Sequence, residues 1–187
     1  MNETITVWTG QSPIVTDTLK ETGRYVVKRS YVDMKYADSA WIFQEAYQYL
    51  SHAVQNFLPR PDDAESPVWV YRDPKYIYAS PDTHILTLSV PRSRLFLFDM
   101  QRWNRILNLR YLGSDSADEE AFEKQLERQG ITDELKLFST PYYPLEKRSV
   151  IKSWDRLFEK NQDEKFLLQG MTWEILSEWI TADSAVS

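Results

Sequence analysis

The sequence predicts an α+β domain built around a single mixed, mainly antiparallel sheet with several packed helices. Segments that alternate apolar and polar residues, which is typical of half-buried strands, occur near both ends of the chain and in its middle. Segments with apolar residues at spacings of three and four, which is typical of amphipathic helices, lie between them. Their order lacks the regular strand–helix repeat of a doubly wound sheet, and this favours the α+β class.

The length of the chain predicts a single domain. Its 187 residues are enough to bury a sizeable core, and no linker, internal repeat or low-complexity run divides them. We therefore expect one domain over residues 1–187, with an ordered core at about 4–180 and a frayed stretch over the last seven residues.

The first half of the chain contains two strong helix signals. Ser12 before Pro13 is typical of a helix start, and Gly23 is typical of a helix end because glycine tolerates the left-handed conformation found there. A second helix is predicted at residues 39–57 from its apolar face, and Pro59 ends it. Strands are predicted at Ile5–Thr9, Arg24–Val27, Val68–Tyr71 and, in short form, at Tyr76–Tyr78, and residues 30–38 are predicted as a loop.

The second half begins with two strands and then becomes mainly helical. Asp99 is a suitable N-cap for a helix that includes Trp103 and is closed by Gly113. The pattern of residues 116–119 indicates a capping box for a helix that ends before Gly130. The other predicted elements are strands at His84–Val90 and Arg94–Phe98, a loop with Pro141 and Pro144, a helix at about 150–158, a long strand at Phe166–Leu176 and a packed Trp179–Ile180 pair beyond it.

The residue types that are missing exclude several kinds of chemistry. The absence of cysteine excludes disulfides, thiolate catalysis and cysteine-based zinc sites. His52 and His84 are the two histidines, and we expect both to be structural or exposed, so no metal site is predicted. The motifs GxxxxGK[ST], GxGxxG, GxSxG and HExxH do not occur.

Charge and hydropathy predict a soluble, cytoplasmic protein. No stretch approaches the roughly 20 apolar residues of a membrane span, and the first four residues lack the layout of a signal peptide. The net charge of −6 argues against broad, non-specific nucleic-acid binding. The arginine-rich stretch at residues 92–110 is compatible with a phosphate-bearing, nucleotide-type ligand or with an acidic surface of a protein partner.

A candidate site lies where the predicted strand before Asp99 meets the following helix. Backbone N–H groups at a helix start can hold an anion, and Asn104 and Asn108 lie four residues apart, next to Arg105. In the simpler interpretation Asp99 caps the helix, Trp103 packs in the core and the asparagines are solvated. Aromatic residues make up 14% of the chain, which favours a ring-rich core and leaves a ring-lined pocket or interface as the alternative.

Four blocks occur in order along nearly the whole chain: Val7-Trp8-Thr9, Phe98-Asp99 with Trp103, Leu107-Asn108 and Tyr111-Leu112, then Ser153-Trp154 with Phe158, and Leu168-Gln169 with Trp173. Together they resemble an uncharacterised bacterial family of domains of unknown function. Members of that family open with Leu-Trp-Thr and carry a Ser-Asp-Phe-Asp-x-Trp-His block. This chain has Asn104 where the family usually has histidine. The resemblance implies no established activity.

The order of elements is also similar to that of small ADP-ribosyltransferase-type domains, which bind NAD in a ring-lined cleft and orient its ribose with a late glutamate. This similarity implies that NAD is a candidate substrate and that no cofactor is required. It points to Glu174, with Gln169 as the alternative inward-facing polar residue, as the catalytic candidates. It assigns ligand binding to Trp8, Thr9 and Tyr25. Arg105 and Asn108, on the predicted helix after Asp99, are the other two candidates for ligand binding.

Three functional classes remain after the sequence analysis. The first is an enzyme acting on NAD or a related nucleotide, in the role of a toxin or a phage-defence effector. The second is a non-catalytic module that binds a ligand or a protein through an aromatic and arginine surface at residues 92–111. The third is a chain whose aromatic residues simply fill the core.

Overall fold

A six-stranded antiparallel sheet forms the centre of the fold in a computed structural model that describes residues 3–159 and 164–186. A second sheet has two strands, which are not hydrogen-bonded to the main sheet. The strands are β1 (Thr4–Gln11), β2 (Arg24–Val26), β3 (Val68–Tyr71), β4 (His84–Pro91), β5 (Phe96–Phe98), β6 (Gln169–Thr172), β7 (Glu174–Leu176) and β8 (Ile180–Ala185). The α-helices are α1 (Pro13–Thr22), α2 (Arg29–Tyr36), α3 (Ala40–Val54), α4 (Met100–Leu107), α5 (Ser116–Arg128), α6 (Lys136–Ser139) and α7 (Pro144–Ser153).

The strand order confirms the α+β class and its mainly antiparallel sheet. The main sheet runs β5-β6-β3-β1-β4-β8, and β2 pairs with β7. Every strand pair among the described residues is antiparallel, so the sheet contains no parallel element within that part of the chain. None of the described helices combines the length and the apolar composition that crossing a membrane requires.

The main sheet separates two apolar cores, because side chains alternate between its faces. On one face Trp69 packs with the helices around Leu50 and Trp103. On the other face Val70 belongs to a core that also contains Leu19 of α1 and Ile175 of β7. The two-stranded sheet and α1 therefore cover one side of the main sheet, and most of the longer helices cover the other.

Helix α1 confirms the prediction made from its two ends. Pro13 is its first residue, and Gly23 follows its last residue with φ 76°. The Gly23 N–H donates to the carbonyl oxygen of Leu19 at 2.9 Å, as expected for a left-handed helix end. Helix α3 and strand β3 also lie close to their predicted positions.

Two predictions in the first half are wrong. Residues 30–38 form α2 and a 3₁₀ turn instead of a loop, because tertiary contacts stabilise this mainly polar helix. The Arg29 N–H donates to the Glu65 carboxylate at 2.9 Å, and the rings of Tyr36 and Phe43 stack 3.8 Å apart. The short strand predicted at Tyr76–Tyr78 is replaced by a 3₁₀ turn at Pro74–Tyr76. The Asp73 side chain caps this turn by accepting a hydrogen bond from the Lys75 N–H.

Helix ends in the second half differ from those predicted. Helix α4 ends at Leu107, well before Gly113, and Leu109 adopts φ 53° just beyond it. Asp115, rather than Ser116, caps α5 by accepting a hydrogen bond from the Asp118 N–H at 2.9 Å. The helix predicted at about 150–158 is the end of α7 followed by a 3₁₀ turn at Trp154–Phe158.

The C-terminal predictions are wrong in two respects. The single long strand predicted at Phe166–Leu176 is divided into β6 in the main sheet and β7 in the second sheet. Trp173 lies between them, buried, and its indole N–H donates to the carbonyl oxygen of Leu58 at 2.8 Å. The stretch predicted to be frayed contains most of β8, which pairs with β4 at the edge of the main sheet.

Candidate functional site

Glu174 is a buried carboxylate held between two arginines. It lies on β7, opposite Val26 of β2, and 7% of the residue is exposed. Its Oε2 accepts a hydrogen bond from Nε of Arg24 at 2.6 Å. Its Oε1 lies 3.5 Å from a terminal nitrogen of Arg94, whose side chain is 56% exposed. One oxygen is therefore held firmly, and the other has a longer contact with a largely solvated guanidinium group.

Arg24 links Glu174 to a second carboxylate. Its terminal nitrogens donate to both oxygens of Asp63 at 2.5 and 3.0 Å. The hydrogen bond to Asp63, followed by that to Glu174, raises the pKa of Arg24, and the same bond lowers the pKa of Asp63. Such a bidentate pair fixes the plane of the guanidinium group and, with it, the orientation of the Glu174 carboxylate.

A small cavity of about 250 Å³ borders Glu174, and we call it the Glu174 cavity. The groups in its lining can accept a hydrogen bond from a hydroxyl, donate one, or pair with an anion. The polar residues of the lining are Glu174, Arg94, Ser93 and Thr172, and the Thr172 hydroxyl already donates to the carbonyl oxygen of Glu174 at 3.3 Å. Its remaining lining residues are Leu58, Pro59 and Trp173.

Gln169 does not share the surroundings of Glu174. It lies on β6 in the main sheet, where cross-strand pairing aligns it with Tyr71 and Trp8 on one face. Its side-chain amide donates to the Tyr71 hydroxyl at 3.5 Å. Burial raises the pKa of Tyr71. Gln169 and Trp8 therefore belong to the face that carries the helices, and Glu174 belongs to the second sheet.

Within the described residues, Thr9 and Tyr25 are also not joined to Glu174. Thr9 follows Trp8 on β1 and so faces the opposite side of the main sheet, where its hydroxyl donates to the carbonyl oxygen of Trp69 at 2.8 Å. Tyr25 pairs with Ile175, the residue after Glu174, so the side chains of Tyr25 and Glu174 lie on opposite faces of the second sheet. It packs against the α1-side core, and burial raises its pKa. The described contacts join neither residue to Glu174.

Arg105 and Asn108 stabilise the end of α4. Nε of Arg105 donates to the carbonyl oxygen of Tyr111 at 3.0 Å and pairs with Glu119 at 3.0 Å. The Asn108 side chain donates to the carbonyl oxygen of Asn104 at 2.7 Å. These bonds engage Nε of Arg105 and the Asn108 amide, whereas one terminal nitrogen of Arg105 is buried with no hydrogen-bond partner among the described residues.

The start of α4 is occupied by the chain's own carboxylate. Asp99 accepts hydrogen bonds from the N–H groups of Gln101 at 2.7 Å and Arg102 at 3.2 Å, and Trp103 is fully buried. These contacts match the simpler interpretation of this segment. Three of the nearby arginines lie in separate ion pairs, Arg94–Glu174, Arg102–Glu159 and Arg105–Glu119.

The two histidines do not form a metal site. His84 lies 2.8 Å from an Asp183 oxygen at the β4–β8 edge, and His52 is exposed on α3. In the part of the chain that the structure describes, no three metal-ligating side chains come together.

A second, larger cavity lies beside α3 and was not predicted from the sequence. Its volume is about 720 Å³, and side chains of α3 line one side of it. The signal that could have indicated it is a row of residues at spacings of three and four opposite the apolar face of the helix. This row consists of Trp41, Gln44, Gln48, Ser51 and Gln55.

Comparison with known proteins gives one match. Residues 6–181 match the model of a family that is described as a domain of unknown function, DUF3841. No curated protein and no solved structure matches the chain. The match covers most of the residues from β1 to β8.

Proposed function

This chain belongs to the DUF3841 family, whose description states no activity, and we propose that it binds NAD at the Glu174 cavity and transfers the ADP-ribose group. The observation that supports this proposal is the convergence of a buried, oriented carboxylate and an exposed guanidinium on one cavity. Of the residues that the sequence analysis singled out, Glu174 is central to the proposal. Gln169, Trp8, Thr9 and Tyr25 have no part in it.

Glu174 has the properties that ribose recognition requires. An ionised carboxylate is an acceptor, and a ribose hydroxyl is a suitable donor to its Oε1. Because Arg24 holds Oε2 at 2.6 Å, the carboxylate does not have to reorient when the ligand enters. Arg94 is suited to the pyrophosphate because its side chain is 56% exposed and a guanidinium binds phosphate oxygens in pairs.

The volume of the Glu174 cavity limits how much of the ligand it encloses. Its 250 Å³ is slightly below the roughly 300 Å³ at which sites for whole drug-sized ligands begin. In the proposal, therefore, one ribose and part of the adjoining ring enter the cavity, and the rest of the dinucleotide lies along the surface near Arg94.

The proposed reaction breaks the bond between C1′ of the nicotinamide ribose and the ring nitrogen of nicotinamide. The electron pair of that bond leaves with nicotinamide, and positive charge develops on the ribose, where the Glu174 carboxylate stabilises it. A lone pair of the acceptor then forms a bond to C1′, and the acceptor loses a proton to solvent. With water as the acceptor, the products are nicotinamide and ADP-ribose.

A protein acceptor for ADP-ribose would suit a toxin or a phage-defence effector acting in the cytoplasm. The alternative is a module that binds the same nucleotide without catalysis. The two differ in one measurable respect, which is the release of nicotinamide.

The test measures NAD binding by calorimetry and nicotinamide release by chromatography for the wild type, Glu174→Gln and Glu178→Gln. We expect the Glu174→Gln variant to lose nicotinamide release by about a hundredfold or more, because it lacks the charge that stabilises the ribose. Glu178 is exposed and lies outside the Glu174 cavity, so its variant should behave like the wild type. Circular dichroism of both variants checks that they are folded.

Arg94→Ala provides a second variant in case the loss of the Arg24–Glu174 pair disturbs folding. We expect it to weaken NAD binding by about tenfold while leaving the fold intact, because most of the side chain is solvated. Absence of NAD binding to the wild type at millimolar concentration contradicts the proposal. Binding without nicotinamide release would instead favour the non-catalytic module.

A further inference from the structure

Phe57, which follows α3, is a large apolar ring that stays half exposed in the folded chain. The exposed fraction of the residue is 49%. Its ring contacts those of Phe96 and Phe158, with centroids 5.2 and 6.1 Å away, and these two rings stack 5.1 Å apart. A single exposed ring is common at a protein surface, but this one is the exposed member of a cluster. We call the three residues the Phe57 cluster.

The Phe57 cluster lies beside the Glu174 cavity. Leu58 lines the cavity and directly follows Phe57, so the Cα atoms of these two residues are about 3.8 Å apart. Arg94 also lines the cavity, and Phe96 follows it by two residues, which span at most about 7 Å of chain. Two separate segments therefore lead from the lining of the cavity to rings that contact each other.

The backbone on both sides of Phe57 is fixed by hydrogen bonds. The N–H groups of Phe57 and Leu58 both donate to the carbonyl oxygen of Val54, at 3.1 and 2.8 Å. The carbonyl oxygen of Leu58 accepts a hydrogen bond from the indole N–H of Trp173, which is buried and lines the Glu174 cavity. A ring on a fixed backbone loses little freedom when a ligand binds to it, so it is a favourable place for stacking.

The Phe57 ring has no parallel stacking partner within the described part of the protein. Phe96 and Phe158 are inclined to it by 64° and 72°, which are edge-to-face contacts. Among the ring pairs of the described residues, none places another ring parallel to Phe57. An exposed ring of this kind is suited to stacking against the flat ring of a ligand.

NAD bound at the Glu174 cavity has such a ring outside the cavity. In the proposed function, the nicotinamide ribose lies at Glu174 and the pyrophosphate lies at Arg94. The cavity volume of about 250 Å³ leaves no room for the adenosine half, which therefore lies on the surface beyond the pyrophosphate. The Phe57 cluster begins two residues after Arg94, within reach of that half of the ligand.

We propose that Phe57 stacks against the adenine ring of NAD and binds the half of the dinucleotide that the Glu174 cavity leaves outside. This inference rests on the proposed function of that cavity. A phenylalanine side chain has no hydrogen-bonding group, and every purine has a flat π face, so Phe57 requires a base without selecting which purine it is. The substrate class is therefore a nicotinamide dinucleotide with any purine, in preference to nicotinamide mononucleotide.

The test measures ligand binding to the full chain by calorimetry. The ligands are NAD, nicotinamide mononucleotide, which lacks the adenosine half, and nicotinamide hypoxanthine dinucleotide, which carries a different purine. The proteins are the wild type, Phe57→Ala and Phe57→Trp. Tyr142→Ala is the matched control, because Tyr142 is an aromatic residue that is 78% exposed and lines neither cavity. Circular dichroism checks that each variant is folded.

We expect Phe57→Ala to bind NAD about tenfold more weakly, as is usual when a ring stacked on a base is removed. Its affinity for nicotinamide mononucleotide should equal that of the wild type, because this ligand does not reach Phe57. Phe57→Trp keeps a flat ring and should retain NAD binding. The wild type should bind the hypoxanthine dinucleotide within about threefold of NAD, because stacking tolerates either purine. Tyr142→Ala should behave like the wild type with all three ligands.

Two outcomes would overturn this inference and leave the Glu174 proposal standing. One is that Phe57→Ala binds NAD as tightly as the wild type does. The other is that Phe57→Ala weakens NAD and nicotinamide mononucleotide equally, which would mean that Phe57 acts only through the shape of the cavity. If the wild type binds none of the three ligands at millimolar concentration, the proposed function fails and this inference fails with it.

Discussion

Ser153 and Ser66 are two buried serines whose hydroxyl groups have opposite surroundings. The Ser153 hydroxyl donates to the carbonyl oxygen of Val150 at 2.6 Å and accepts from the Leu112 N–H at 2.9 Å. The Ser66 hydroxyl has no partner among the described residues. The first is a structural group that joins α7 to the chain after α4, and the second is a buried group without a hydrogen-bond partner in the described ranges.

This contrast predicts different effects of removing each hydroxyl. Ser153→Ala should lower the free energy of unfolding by about 1–3 kcal/mol, because it leaves a buried N–H group unpaired. Ser66→Ala should change it by less than about 0.5 kcal/mol, because no hydrogen bond is lost. Urea denaturation of both variants measures the difference. An equal loss in the two variants would mean that the Ser66 hydroxyl has a structural partner.

The starts of α1 and α4 show how similar sequence signals lead to different local structures. The Asp99 side chain accepts hydrogen bonds from two N–H groups at the start of α4. Ser12 is the N-cap residue of α1, but its side chain makes no capping hydrogen bond. At α1, the N–H group of Val15 donates to the backbone carbonyl oxygen of Ser12 at 3.0 Å instead of to its hydroxyl. Capping by the side chain is therefore important for one helix and unimportant for the other.

Substitution of the two cap residues tests this difference at the level of the element. Asp99→Ala should destabilise the protein by about 0.5–2 kcal/mol, which is the usual cost of losing a capping side chain. Ser12→Ala should have little effect, because its side chain caps nothing. Thermal unfolding of both variants provides the measurement, and a similar decrease in Tm for both would contradict the assignment.

On the scale of the whole molecule, the edge strand β8 completes the main sheet. It pairs with β4 from His84↔Ala185 to Leu88↔Ile180, with an irregularity between Thr87 and Leu88. The Thr181 hydroxyl also donates to the carbonyl oxygen of Thr87 at 3.2 Å. Without β8, the hydrogen-bonding groups of β4 would be exposed along that edge.

Deletion of residues 181–187 should therefore destabilise the whole domain. We expect a loss of roughly 2–5 kcal/mol, because several strand hydrogen bonds of about 0.5–1.5 kcal/mol each are removed. Calorimetry measures the loss, and size-exclusion chromatography detects association through the exposed edge. Deletion of Ser187 alone is the control. A shortened protein as stable as the full chain would show that β8 contributes nothing.

Local signals predicted a substantial part of the fold. Gly23 after α1, the apolar face of α3 and the Asp99 cap all act within a few residues, so they can be identified without knowing what packs against them. Glu174 was also identified as a candidate from the sequence, and it does border a cavity. Its partner Arg24 could not be predicted, because 150 positions separate the two residues.

The sequence by itself determined the α+β class, the family and the elements with strong local signals. The tertiary structure decided that residues 29–36 form a helix, that β6 and β7 belong to different sheets, and that β8 is ordered. It also decided where the cavities at Glu174 and α3 lie. The physical reason is that these features depend on contacts between distant segments, whereas helix caps and hydrophobic periodicity depend on neighbouring residues.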